Sequence, residues 1–225
     1  MKSNFIHVCF VVDSSGSMSS SVDDVKGGFK RIIEEQRANT EGECAVSYFD
    51  FNSEVTEVYR GKNVNEISPE LEYYASGMTA LMDGVGTAID TIGKWLDSLP
   101  EEEKPEQNLV VIITDGGENF SKEYTATRVK EMIKHQEEKY SWKFMYLGAD
   151  LTNVKDAIDL GIGTRGVSSR ASLGNSYDIV NASMSMYRNT KGTKEQKFAT
   201  MDCYLASSVN TMNAEYEKET GIKVD

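Results

Sequence analysis

Apolar and polar positions alternate along this chain in blocks that switch repeatedly between two periods. Phe5 to Val12 (FIHVCFVV) is nearly continuous in apolar character, the pattern of a central parallel strand covered on both faces. From Ser19 to about Asn39 the period lengthens. Val22, Val25, Phe29, Ile32 and Ile33 fall on one stripe with Asp, Lys and Glu opposite, which predicts an amphipathic helix. Gly42 to Phe51 and Val55 to Arg60 read as two strands joined at Asn52-Ser53-Glu54, a hairpin. Leu81, Val85, Ala88, Ile89, Ile92, Trp95 and Leu96 make a second amphipathic helix, ended by Pro100, and Glu101-Glu102-Glu103 reads as a solvated loop. Asn108 to Thr114 (NLVVIIT) is the clearest buried strand. A helix over about Lys122 to Lys139, a strand over Trp142 to Leu147, a short helix over Val154 to Leu160, an edge strand over Gly166 to Ser169 and a helix over Tyr177 to Arg188 complete the reading.

Strands that alternate with helices of ten to twenty residues, plus one hairpin, predict an α/β fold. The central sheet is expected to be mostly parallel with one antiparallel edge. The length of 225 residues allows one large domain with an extension. After a polar linker at Thr190 to Lys194, the residues Phe198, Met201, Leu205, Val209, Met212 and Tyr216 recur at three- and four-residue steps. The expected division is therefore a domain over 1–189 and a helical extension over 190–225. That last stripe reads either as a helix packed on the domain or as a docking or self-association helix.

Charge narrows the partners. Lys and Arg number 24 against 36 Asp and Glu, for a net charge of −12. Nucleic acid and anionic membrane surfaces are thereby excluded as general partners. No apolar run reaches membrane-spanning length, and the start of the chain lacks the small-residue cleavage site of a signal peptide. Three widely spaced cysteines, Cys9, Cys44 and Cys203, do not read as a disulfide framework. The expected compartment is cytoplasmic.

Ligands on open α/β sheets sit at the carboxyl ends of the strands, so the residues just after each strand carry the chemistry. The first strand is followed by Asp13-Ser14-Ser15-Gly16-Ser17, in which three oxygen side chains, Asp13, Ser15 and Ser17, are spaced two apart around a glycine. The Asn108–Thr114 strand is followed by Asp115-Gly116-Gly117, and Thr79 stands in the loop before the second amphipathic helix. Each piece alone is an ordinary cap or turn. Together they form an all-oxygen set suited to a hard divalent cation that keeps some water.

These residues resemble the metal-ion-dependent adhesion site of a von Willebrand factor A domain: Asp-x-Ser-x-Ser, a distant Thr and a distant Asp. The resemblance covers about residues 4–188. It implies a Rossmann-like three-layer fold with Mg²⁺ (or Mn²⁺) at the top of the sheet. It implies that Ser15 and Ser17 bind the metal directly, Thr79 directly in the ligand-engaged state, and Asp13 and Asp115 largely through water. It also implies a function: a binding module, not an enzyme, whose metal captures an Asp or Glu of a protein partner. Val25-Lys26-Gly27-Gly28-Phe29 and Trp142 to Ala149 are similar to the small, stand-alone, intracellular bacterial or phage kind.

Other readings find less support in the residues. A hydrolase or phosphotransferase using Asp13 would need a second carboxylate two residues on, where Ser15 stands. Neither His7 nor His135 follows a strand, so a Ser/His/Asp triad is not supported, and His7 reads as a core residue. Gly161 to Gly166 spells G-x-G-x-x-G but lacks the strand-to-helix setting of a dinucleotide site. Asp83, four residues after Thr79, either lies near the site or, the favoured reading, is a solvated or helix-stabilising charge in a first turn. Glu118 and Asn119 lie just past Asp115 and read either as rim residues of the pocket or as residues outside it. An assembly subunit of a phage or ATPase complex, acting through the C-terminal helix, is a further alternative.

Overall fold

Strand β1 (Lys2–Asp13) is the axis about which the molecule is built. It pairs in parallel with β2 (Glu43–Phe51) on one side and with β4 (Pro105–Thr114) on the other. Strand β3 (Val55–Asn63) returns antiparallel along β2, while β5 (Lys143–Gly148) and β6 (Val167–Ser169) extend the parallel sheet beyond β4. The order is β3-β2-β1-β4-β5-β6, six strands among the described residues. The structure is a computed structural model and describes residues 1–148, 157, 159–162, 167–169 and 173–220. Most of the expected Val154–Leu160 helix and of the G-x-G-x-x-G string lies outside those residues. So do the side chains of Val209, Met212 and Tyr216.

Both faces of the sheet are covered, which gives the expected three-layer α/β fold. On one face, Ile6, Val8, Phe10 and Val12 of β1 pack with Val25, Phe29, Ile32 and Ile33 of α1 (Val22–Ala38). Tyr177, Val180 and Met184 of α4 (Leu173–Asn189) join the same cluster. On the other face, Cys9 and Val11 pack with Leu81, Val85, Ile89 and Ile92 of α2 (Leu81–Ser98) and with Val129 and Ile133 of α3 (Ala126–Tyr140). This two-sided burial is why β1 and β4 read as unbroken apolar runs. A last helix, α5 (Lys194–Thr220), places Met201 and Leu205 in the first cluster.

Local departures from the sequence pattern have identifiable causes. Gly16–Ser21 forms a 3₁₀ helix ahead of α1, so the regular helix starts later than the polar pattern implies. Helix α3 begins at Ala126, not near Lys122, because the backbone N–H groups of Lys122, Glu123 and Tyr124 donate to Asp83 instead of opening a helix. Glu101–Glu103 forms one exposed 3₁₀ turn.

Buried polar groups fasten the layers. Arg188 of α4 is 3% exposed and donates to main-chain carbonyls of Gln36 (2.7 Å), Asn39 (2.6 Å) and Glu41 (2.8 Å). A guanidinium thus satisfies carbonyls that α1 leaves open at its C-terminus, where a cation is favoured. Nearby, α1 and α4 touch: a Cβ on Gly28 would lie 2.3 Å from the Tyr177 ring. At the lower end of β4, Glu106 accepts from Lys197 of α5 (3.0 Å), the Tyr187 hydroxyl (2.9 Å) and the Asn4 amide (2.9 Å).

His7 is fully buried and links three strands. Its Nδ1 lies 3.1 Å from Asn108 Oδ1, its Nε2 lies 2.8 Å from Ser47 Oγ, and Ser47 Oγ accepts from Gly61 N at 2.8 Å. One neutral tautomer satisfies every atom: Nδ1–H donates to Asn108 while the Ser47 hydroxyl donates to Nε2. The Trp95 ring covers the imidazole, with ring centroids 4.9 Å apart. The connectivity is that of a hydrolytic triad, but the group is sealed in the core.

Two outcomes follow from this packing. Gly28→Ala forces the methyl into Tyr177 and is expected to destabilise the fold by about 1–3 kcal/mol in urea unfolding, the usual cost of overpacking. Burial pushes the His7 imidazole down to about 4, only partly offset by the Asn108 hydrogen bond. Below about pH 6.5 the unfolded chain therefore takes up a proton that the folded ring refuses. The contribution is complete above that pH and is lost as pH falls towards 4. Relative to His7→Gln, the wild type is expected to lose about 1.4 kcal/mol per pH unit between pH 6.5 and 4.5, read from urea unfolding at each pH.

Candidate metal centre

The strand order reverses between β1 and β4: the chain leaves β1 towards β2 and β3 and comes back to the opposite side of β1 as β4. The crevice at the carboxyl ends of these two strands is where α/β sheets bind ligands. Their register pairs Val12 with Ile113, so Asp13 and Thr114 follow side by side. The Thr114 hydroxyl donates to Asp13 Oδ2 at 2.5 Å, and the Ser15 amide donates to Asp13 Oδ1 at 2.7 Å. Thr114, which the sequence presents only as a strand end, is thus the direct partner of the site's buried carboxylate. Asp13 is fully buried, and burial pushes its carboxyl above the usual carboxylate range. The Thr114 and Ser15 hydrogen bonds oppose that shift, and the charge of Asp115 adds to it.

The turn after β1 is held from several sides. Ser14 donates its amide to Phe51 O (2.7 Å), Ser76 N donates to Ser14 O (2.8 Å), and Gly16 N donates to Gly77 O (3.1 Å). Gly77 has φ +81°, the left-handed region that glycine adopts without strain. The Tyr73 hydroxyl donates to the Asp13 carbonyl, and Met18 is buried beneath the 3₁₀ turn. The loop before α2 is therefore pinned alongside the Asp13–Ser17 turn, although it is distant in sequence.

Four hydroxyl and carboxylate groups meet above this frame. Ser15 Oγ and Ser17 Oγ are 3.1 Å apart, and Ser17 Oγ donates to Asp115 Oδ1 at 2.6 Å. Thr79 is buried, 3% exposed. A Cβ built on Gly116 would lie 3.2 Å from Ser17 Oγ, 3.3 Å from Thr79 Oγ1 and 3.7 Å from Asp13 Oδ2. Oxygens from three segments thus converge on the one position that glycine leaves open. The structure brings together Asp13, Ser15, Ser17, Thr79 and Asp115, the five residues singled out from the sequence. Ser17 is exposed and Asp115 half-buried, so the cluster opens to solvent.

Chemically this is an oxygen-only donor set, with neither imidazole nor thiolate. Such a set suits a hard cation. Among the described residues there is no group of three or more His, Cys, Asp or Glu side chains that could hold a metal; this cluster has two carboxylates, and hydroxyls supply the rest. His7 is in the core network and His135 lies on α3 against Tyr140. Asp83 is in the first turn of α2, as expected, but is not solvated. It is buried, and it accepts three backbone N–H bonds from residues 122–124. Glu118 and Asn119 bond to the start of α2 and to Thr79.

The fold has known counterparts. Comparison with curated proteins by sequence finds no match. Among solved structures, the chain is similar to the pilus adhesin SpaC from Lactobacillus rhamnosus GG, with 13% identity and a TM-score of 0.65 over 84% of this chain and 31% of that one. It is similar to the vWF domain of the type V pili tip protein Mfa5 from Porphyromonas gingivalis, at 9% identity and a TM-score of 0.61, over 84% of this chain and 97% of that one. It is also similar to proximal thread matrix protein 1 from the mussel byssus, described with a zinc-occupied MIDAS motif. There identity is 18% and the TM-score 0.54, over 80% of this chain and 45% of that one. The chain thus spans less than half the length of the mussel protein and of the adhesin. At these identities the likeness is one of fold. The pattern of the von Willebrand factor type A domain matches residues 7–162, more than half of the chain, which therefore belongs to the von Willebrand factor type A domain family.

Proposed function

We propose that this chain is a metal-dependent protein-binding module, with Mg²⁺ (or Mn²⁺) held by Asp13, Ser15, Ser17, Thr79 and Asp115. The observation that carries this reading is the convergence of Ser17, Thr79 and Asp13 oxygens on the space beside Gly116. Ser15, Ser17 and Thr79 would hold the cation through their hydroxyl groups, and Asp13 and Asp115 would supply the negative charge beside it. The bound cation supplies an electrophilic centre with a coordination position for an Asp or Glu of a partner protein. The chain's own residues do the rest. Gly116 leaves the space, Thr114 and the Ser15 amide fix Asp13, and Ser17 and Asp115 define the solvent-facing side.

A binding role is favoured over an enzymatic one by the state of Asp13. Both of its oxygens already accept hydrogen bonds, from Thr114 and from the Ser15 amide. A carboxylate so engaged is poorly disposed to attack phosphorus or carbon, and neither histidine is placed to act as acid or base. The adhesin, pilus and thread-matrix roles of structurally similar proteins agree with this. We assign the module to residues 1–189 and treat the segment after it as a helical extension. Among the described residues no helix is long and apolar enough to cross a membrane. The three cysteines are free thiols, two of them buried, which favours a reducing, cytoplasmic setting.

Magnesium titration by calorimetry tests the reading. The wild type is expected to bind, and Asp13→Ala to lose more than about tenfold in affinity while keeping its circular dichroism spectrum. A partner held in Mg²⁺ is expected to release on addition of EDTA. Unchanged affinity in Asp13→Ala would place the metal elsewhere and refute the assignment.

A further inference from the structure

We propose that Asp83, together with the segment Glu118–Ser121, positions Thr79 and Asp115 as one preassembled unit before any cation arrives; this rests on the metal-site reading above. Thr79 stands in a loop and Asp115 at the tip of β4, and no strand pairing joins the two. Side-chain and main-chain hydrogen bonds instead join Thr79 and the start of α2 to the segment that follows Asp115. Asn119 Oδ1 accepts from Thr79 N (2.9 Å), and Thr79 O accepts from Asn119 N (3.0 Å) and Phe120 N (3.1 Å). One turn further, Glu118 Oε2 accepts from Met82 N (3.0 Å) and Ser121 Oγ accepts from Asp83 N (3.2 Å). In return, Asp83 accepts from Lys122 N (2.8 Å), Glu123 N (2.9 Å) and Tyr124 N (2.8 Å).

The physical reason lies at the start of α2. The first amides of a helix need acceptors from outside it. The position before α2 is Ala80, which has no side chain to offer and makes no cap hydrogen bond. A Ser, Thr, Asp or Asn is the usual solution there. Here Glu118 and Ser121 provide the acceptors from a distant segment, and a carboxylate near the positive end of the helix is favoured in its own right. The exchange is reciprocal, since Asp83 caps the loop whose residues cap its helix. Gly86 completes the fit, because a Cβ there would lie 2.4 Å from the Tyr124 ring. A helix start whose first amides are capped by Glu118 and Ser121 is coupled to the segment that follows Asp115, while the Ala80 amide, which donates to Asn52 O (2.9 Å), ties it to the β2–β3 turn as well. Thr79 and the loop that follows Asp115 are thus fastened together within the protein.

The test compares metal affinity with stability. Asp83→Ala is expected to weaken Mg²⁺ binding about tenfold, the range typical of residues that orient metal ligands. In the metal-free protein it is expected to speed hydrogen exchange at the Thr79 and Met82 amides. Thr125→Ala serves as control: it removes the α3 cap, whose hydroxyl accepts from Arg128 N, and touches no proposed ligand. A merely structural role for Asp83 predicts that both variants lose stability and neither loses affinity. The inference is overturned if Asp83→Ala binds Mg²⁺ like wild type while Asp13→Ala does not. Should Asp83→Ala fail to fold, Asn119→Ala decides, through loss of affinity or its absence. If Asp13→Ala also binds like wild type, the metal-site reading itself has failed, and this inference goes with it.

Discussion

The hydrogen bond from Thr114 to Asp13 is the contact on which the arrangement turns. It requires a buried carboxylate at the tip of one central strand and a hydroxyl at the tip of the next. Only parallel pairing of β1 with β4, in the register that sets Val12 against Ile113, provides both. A buried, ionised carboxylate without donors is costly. The sequence answers that cost with the Thr114 hydroxyl and the Ser15 amide, and the same turn then presents Ser15 and Ser17. Sheet order, register and the turn after β1 are one constraint seen at three scales.

The rest of the interior follows the same rule, that polar groups enter the core only with partners. His7 crosses β2, β1 and β4 through Ser47 and Asn108. Arg188 ends α1 by meeting its carbonyls, and Glu106 gathers Asn4, Tyr187 and Lys197 at the lower edge of the sheet. These groups lie away from the candidate site and make no claim on ligand chemistry. They specify which helix lies against which strand, a task that apolar packing alone performs with less selectivity.

Local periodicity carried the elements that are buried on both faces or on one stripe, so β1, β4, α1 and α2 were legible. Asp13, Ser15, Ser17 and Asp115 were legible as oxygen side chains at strand ends, and Thr79 as one before α2, only when the three segments were taken together. What the sequence concealed are contacts between residues far apart along the chain. Asp83 looks like a first-turn charge until the amides of residues 122–124 are placed against it, and α3 looks four residues longer at its start for the same reason. Thr114 looks like any strand residue until β1 lies beside it. His7 was readable as buried, yet its partners Ser47 and Asn108 were not, since nothing local marks a hydrogen bond across strands.

The proposed site is sparing with charge, and this bears on what it can hold. A divalent cation among two carboxylates and three hydroxyl groups would be formally balanced in charge, but three of its five neighbours are neutral, so it would keep an affinity for a partner's carboxylate. The whole chain opposes that approach with a net charge of −12. At physiological ionic strength, however, charges beyond about 8 Å are largely screened, and the encounter is governed by the immediate surroundings of the cluster. Without a cation those surroundings are Asp13 and Asp115, which repel an acid. With one, the two carboxylate charges are offset and that repulsion is lifted. On the proposed reading, dependence on metal is then what an anion-binding site on an acidic protein requires. The attraction that remains is local, because the neutral hydroxyl groups leave the cation open to a further anionic ligand.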